Sequence, residues 1–272
     1  MVSKKLIAVA TVFALGALAA ASAARADTIL YVDDSTGNIG QVDITTGSVV
    51  AGSVHNTGLG ASLTDLGFAS SGTLYGTTFT GLYSINTNTG KSTNVVTYGG
   101  GISSMNALIG NGTNLLAANG TTKNIYSINT TNGAVGTYTQ STEESAGDLA
   151  FANAALYEAG IGSNGADELV NVTNKSTVAP FTISGKELSG VFGLAYDGQT
   201  MYAVDNTEVY SVNLANAVLT PLFNYSGSGL GAAYGTAFIG EGSTNVPEPG
   251  SLILLGTGLL FLGAAIRYRR RA

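Results

Sequence analysis

The chain has 272 residues and no cysteine, so disulfides cannot hold it and either a packed core or repetition must. It carries 17 acidic against 11 basic residues, and between Arg25 and Arg267 the only basic residues are Lys91, Lys123, Lys175 and Lys186. So acidic a body repels phosphate, which excludes nucleic acid and anionic lipid as its natural partners.

The first element is an export signal over residues 1–26. Lys4 and Lys5 precede an apolar run from Leu6 to Ala21 that only Thr11 interrupts. Ala24 and Ala26 put small residues at −3 and −1 of a cut before Asp27. The alternative is a retained membrane helix, against which the small-residue site argues. A body exported this way passes through the Sec machinery.

Residues 27–242 form the body, and they repeat. The clearest unit is Leu82-Tyr83-Ser84-Ile85-Asn86-Thr87-Asn88-Thr89-Gly90, a strand and a turn. It recurs from Ile125 to Gly133 and a third time from Val209 to Asn213, and weaker copies surround Gly40 and Val170. The aligned positions 40, 83, 126, 170 and 210 are 43, 43, 44 and 40 residues apart. A second strand precedes each copy, around Tyr31, Tyr75, Leu116, Tyr157 and Tyr202. A third comes earlier, ending at Phe68, Ile109, Phe151, Tyr196 and Phe238. A fourth follows the turn, as in Ser92 to Thr97 and Ala134 to Thr139. All are short and β-branched or aromatic, with Gly, Asn, Ser or Thr at their ends.

Four strands per unit is the pattern of a propeller blade. The body starts at a second-type strand, Thr28 to Val32, and stops after a fifth first-type strand, Tyr234 to Phe238. Each end supplies what the other lacks. The expectation is an all-β, five-bladed β-propeller closed by strand exchange between its termini. An open solenoid or a β-sandwich is the alternative, but a sandwich has no reason to keep this period. The units resemble propeller repeats of the quinoprotein-like and surface-layer kinds, a likeness that speaks for architecture and little for activity.

Nucleophilic chemistry has little to work with. His55 is the only histidine, in a Gly-, Asn- and Thr-rich stretch behind a strand-like segment from Ser48 to Val54, and no Gly-x-Ser-x-Gly is present. Zinc lacks ligands for the same reason. Asp33-Asp34-Ser35-Thr36-Gly37-Asn38 lacks the spacing of an EF-hand and reads as a turn between strands. Carboxylates remain. Asp65, Asn106 and Asp148 hold one repeat position in three consecutive blades, where Gly193 and Gly235 stand in the others. That position faces the central channel, where converging oxygens would suit calcium or a sugar hydroxyl. The plainer alternative is that each side chain caps its own turn. Calcium is thus the one cofactor to weigh, and the expectation is otherwise of none. Five-bladed glycosidases use paired carboxylates across the channel, but this body has neither Trp nor Arg to grip a sugar.

The last elements are a linker over 243–250, a membrane span over 251–266 and a basic tail over 267–272. The linker holds Val246, Pro247, Glu248 and Pro249, and two prolines keep it extended. The apolar run from Gly250 to Ile266 reaches about 25 Å, short of a ~30 Å hydrocarbon core, and flanking Arg side chains can snorkel. Arg267, Arg269, Arg270 and Arg271 keep the tail cytoplasmic and the body outside.

Motif, apolar helix and Arg-rich end together resemble the PEP-CTERM sorting signal of Gram-negative bacteria. The resemblance implies an exosortase-type membrane protease that recognises the motif and cuts near it. It implies anchorage in the inner membrane first, and the cell surface or the exterior after processing, in bacteria that often make exopolysaccharide. A permanent one-span anchor is the alternative. The body is expected to be a non-enzymatic binding or interaction scaffold, the competing reading being a hydrolase or lyase acting on extracellular polysaccharide.

Overall fold

The computed structural model describes residues 28–242. The expected signal peptide, PEP linker, membrane span and basic tail lie outside the described residues. The body is built of strands. The first blade begins with β1 (Ile29–Asp34), β2 (Asn38–Asp43), β3 (Ser48–Val49) and β4 (His55–Asn56). The second comprises β5 (Asp65–Phe68), β6 (Leu74–Thr78), β7 (Gly81–Ile85) and β8 (Ser92–Thr97). The third comprises β9 (Met105–Asn111), β10 (Asn114–Asn119), β11 (Asn124–Asn129) and β12 (Val135–Gln140). The fourth comprises β13 (Glu144–Ala152), β14 (Ala155–Ile161), β15 (Asp167–Asn171) and β16 (Ser176–Pro180). A small hairpin, β17 (Thr182–Ile183) and β18 (Lys186–Glu187), precedes the fifth. That blade has β19 (Val191–Tyr196), β20 (Met201–Asp205), β21 (Glu208–Val212) and β22 (Leu219–Asn224). The last strand is β23 (Ala233–Phe238).

The last strand belongs to the first blade. β23 pairs antiparallel with β1, with Leu30 opposite Phe238 and Val32 opposite Thr236, so the first sheet runs β23-β1-β2-β3. The termini therefore exchange a strand as the repeat predicts. The other four sheets are simple antiparallel meanders.

Five hydrophobic clusters fill the five junctions between blades. Tyr31, Leu66, Phe68 and Leu74 pack between the first and second blades, and Tyr75, Leu82, Leu108 and Leu115 between the second and third. Ile109, Leu116, Leu149 and Leu156 join the third to the fourth. Tyr157, Leu169, Leu194 and Met201 join the fourth to the fifth, and Tyr202, Val204, Leu30 and Phe238 join the fifth to the first. The inner strands are buried on both faces, whereas the outermost β8 and β12 are largely exposed or half-buried. That gradient explains the composition: inner strands are apolar and small, outer strands are rich in Thr, Ser and Asn.

The turn after each third strand repeats one device. Asp43, Asn86, Asn129 and Asn213 each accept the amide two residues on, at 2.8, 3.0, 2.9 and 2.9 Å. A residue with positive φ then closes the turn: Gly47, Gly90 and Gly133 in the first three blades, Lys175 in the fourth and Ala217 in the fifth. A side chain in this left-handed region is strained.

Two details depart from expectation. The segment from Ser48 to Val54 is not one strand. It breaks after β3 into a turn at Ala51 and Gly52, and Ser53 Oγ then accepts the Gln41 amide at 3.1 Å. His55 is consequently not in a loop, but opposite Ile39 in the short β4. The hairpin β17–β18 is the second addition; it lengthens the link between the fourth and fifth blades.

Phe238→Ala would empty a fully buried site where strand closure and a junction core meet, 5.5 Å from the Tyr202 ring. A loss of about 3–5 kcal/mol is expected in denaturant unfolding of the full-length protein, against less than about 0.5 kcal/mol for the exposed Leu222→Ala. Lys175→Gly relieves an exposed residue at φ 53°, and a gain of about 1 kcal/mol is expected in the same measurement.

Candidate functional site

Carboxylates gather where the inner strands meet. Asp33, Asp65 and Asp148 are essentially inaccessible, and Glu241 is buried. Asp65 Oδ1 accepts its neighbour Leu66's amide at 2.6 Å, while Oδ2 accepts the amide of Leu108 in the third blade. Asp148 repeats the pattern: Oδ1 accepts from Leu149 at 2.6 Å, and Oδ2 from Leu194 in the fifth blade at 2.6 Å. The same Oδ2 takes the Thr236 hydroxyl at 2.9 Å and its amide at 3.1 Å, so Asp148 ties three blades. Asn106 does related work, donating Nδ2 to the Ser145 carbonyl of the fourth blade at 2.9 Å. Glu241, just beyond β23, accepts from Tyr196 at 2.7 Å and Phe238 at 2.9 Å.

The sequence-predicted trio thus lands on the inner strands as expected, but its members do different things. Asp65 and Asp148 come together, close enough to share a hydrogen bond. Asn106 reaches instead to the Ser145 backbone. The turn-capping alternative is half of what is seen: each aspartate holds the amide after itself and one from the following blade. Asp33-Asp34-Ser35-Thr36-Gly37-Asn38 is a turn, with Asp34 Oδ1 accepting the amides of Thr36 and Asn38 at 2.9 Å each. Asp34 Oδ2 also accepts the Gly231 amide at 2.8 Å. Burial would raise its pKa, but these hydrogen bonds outweigh burial and hold it below the usual value.

The sequence reading takes Asp33 only as part of a turn and does not single out Glu241. Asp33 sits at the end of a second strand, outside the repeat position of the other two. Its register with Gly235 across β1 and β23 brings it to the axis. A Cβ at Gly235 would collide with Asp65 and come within 2.8 Å of Asp33 Oδ1, and one at Gly193 would come within 2.7 Å of Thr236. Gly235 therefore leaves the space that Asp65 and Asp33 occupy, and Gly193 leaves that taken by Thr236. Both Asp33 oxygens are buried without a hydrogen-bond partner.

Electrostatics follow from crowding. Burial, then the neighbouring Asp148 and Asp34, push the Asp33 pKa well above the usual carboxylate value. Burial and Asp148 do the same to Asp65, and burial does it to Asp148 and Glu241. Asp65 and Asp148 form a close buried pair, and burial together with their mutual proximity favours a proton held by the pair. Among the described residues, no three His, Asp or Glu side chains are arranged as metal ligands. On the outer surface, Thr73, Ser84, Asn86, Thr89, Lys91 and Thr93 line an open, polar depression on the second blade.

Residues 245–271 match the PEP-CTERM protein-sorting motif. No curated protein matches the chain. Among solved structures it is similar to a protein of unknown function from Bacteroides caccae, with 12% identity and a TM-score of 0.50, covering 78% of this chain and 98% of that one. It is also similar to a chain of a nidogen/laminin complex, with 14% identity and a TM-score of 0.50, covering 78% and 80%. At such identity these likenesses speak for the fold alone. The chain is therefore a five-bladed propeller that carries a PEP-CTERM sorting signal, which implies processing by an exosortase and export to the membrane or cell surface.

Raised carboxyl pKa values set the sign of the pH dependence. The folded state keeps protons that the unfolded state releases above about pH 4, so stability is full in acid and drains away as pH rises. Glu158, also buried, is raised to about 8, which extends the window to that pH. The thermal midpoint is expected to be higher at pH 5 than at pH 8.5. Asp33→Asn is expected to flatten the profile by raising the midpoint at pH 8.5; an upward slope with pH would contradict the protonated axis.

Proposed function

We propose that the body is a non-enzymatic scaffold that binds neutral surface polysaccharide once the exosortase has cut the chain near Pro247, Glu248 and Pro249. The match of residues 245–271 to the sorting motif carries this reading, because it directs the body to the membrane or cell surface. Three features support it. The axial carboxylates are sealed and hold backbone amides, a poor arrangement for an acid and a base that must meet substrate. The depression on the second blade offers hydroxyls, an amide and one ammonium, groups that hydrogen-bond to sugar hydroxyls. The acidity of the body disfavours anionic glycans.

Intact-mass measurement on surface-released protein tests the processing. A mature C-terminus near Glu248 is expected, and its loss in a strain lacking exosortase; a terminus at Ala272 would refute it. Glycan-array binding, run beside an assay for released sugar, tests the scaffold. Binding without release is expected, weakened several-fold by the joint exposed substitutions Lys91→Ala and Thr93→Ala. Sugar release that Asp65→Asn abolishes would favour the hydrolase reading instead.

A further inference from the structure

The junction between the third and fourth blades holds a second group of buried oxygens, apart from the axis. Glu158 lies on β14, and its carboxylate is 1% exposed with Oε2 unpartnered. At the same strand position the other blades carry Val32, Gly76, Ala117 and Ala203. A carboxylate has replaced a small or apolar core residue in one blade of five.

What surrounds it is polar and under-satisfied. Ser145 lies opposite Gly160 across β13 and β14, on the face that Glu158 shares, and Gly160 adds no side chain between them. Ser141, just beyond β12, approaches from the third blade, its backbone fixed to the Lys123 carbonyl at 2.7 Å. Both hydroxyls sit close enough to Glu158 to favour its charged form. The Ser141 and Ser145 hydroxyls have no partner besides the Glu158 carboxylate, and the flanking Thr142 Oγ1 and Asn106 Oδ1 are buried without any. Native interiors rarely leave even one such atom unmatched. So many under-satisfied oxygens at one junction are a donor set that a cation would complete.

We propose that Glu158, Ser141 and Ser145, flanked by Thr142 and Asn106, form a binding site for a hard metal cation. All of its donors are oxygen, which suits calcium or an alkali cation and not the nitrogen- and sulfur-seeking metals. One carboxylate among neutral oxygens is a weak charge, so affinity near millimolar is expected, the range of extracellular calcium modules. Glu143 stands close by, its charge raising the Glu158 pKa, and pairs with Lys123 at 3.4 Å. The cation would link strands of two blades, and its effect would be on stability. This rests on neither the sorting signal nor glycan binding.

The test is the thermal midpoint of the full-length protein in detergent, stripped with EGTA and titrated with Ca²⁺, Mg²⁺ or Na⁺ at constant ionic strength held by choline chloride. A rise of about 5 °C or more at saturating metal is expected, increasing with the logarithm of concentration. The cation that produces it identifies the occupant. Glu158→Gln is expected to abolish the response while unfolding cooperatively without metal. If that variant does not fold, the pair Ser141→Ala and Ser145→Ala carries the same comparison. No response to any of the three cations, or an equal response in the variants, would overturn the proposal and leave buried water as the partner of these atoms.

Discussion

The pairing of β1 with β23 is the constraint on which the molecule depends. A blade is apolar on both faces and is stable only when both are covered. In a row of five blades, two faces and two edges would remain open. The Leu30–Phe238 register removes all four at once: it completes the first sheet, and it places Phe238 against the fifth blade and Ala237 against the second. Five junction cores from five blades is the count of a closed ring. Closure also joins residues far apart in sequence, as with Asp34 and Gly231. Entropy gained by opening would therefore come only with loss of two junctions, which favours cooperative unfolding.

The axis shows what closure costs. Five inner strands converge, and space allows side chains from only some of them. Gly235 steps back where Asp65 and Asp33 step in, and Gly193 where Thr236 does. A buried carboxylate is expensive unless it is protonated or richly hydrogen-bonded. Asp148 is richly bonded, crowding raises the pKa of both Asp65 and Asp148, and each aspartate ties its own blade to the next. Asp33 has no such compensation in its hydrogen bonds. Its neutral form is the one the environment favours, so a proton there relieves the crowding at the axis.

The architecture was legible because it is periodic. Four strand types at a spacing near 43 residues, with a missing first strand at one end and a surplus one at the other, lead to five blades and to the exchange. The turn after each third strand was legible too, since an Asp or Asn followed by a positive-φ residue has a local cause. Asp65 and Asp148 were singled out through repeat alignment, and both lie on inner strands. Their partners were hidden, because Leu108 and Leu194 donate backbone amides from 43 and 46 residues away, and amides leave no trace in a sequence. Asp33 and Glu241 were hidden because only the exchanged strand brings them inward. Glu158 was visible in principle: it breaks a column of Val32, Gly76, Ala117 and Ala203. A deviation within a repeat is as informative as the repeat, and it signals where one blade departs from structural duty.

That distinction bears on where recognition can occur. In many ring-shaped folds the axis is the natural site, since loops and strand ends converge there. Here the converging groups are already engaged with one another and with backbone amides, and they are closed to solvent. A ligand would have to break the clips that hold adjacent blades. The outer strands face the opposite situation: β8, β12 and β22 are largely exposed or half-buried, and only some side chains, such as Val96, Val135 and Leu219, reach the junction cores. Their exposed side chains can vary without disturbing closure. A protein delivered to a surface and stabilised from its centre is thus free to use its rim and loops for contact, and the Thr-, Ser- and Asn-rich character of those strands follows from that division of labour.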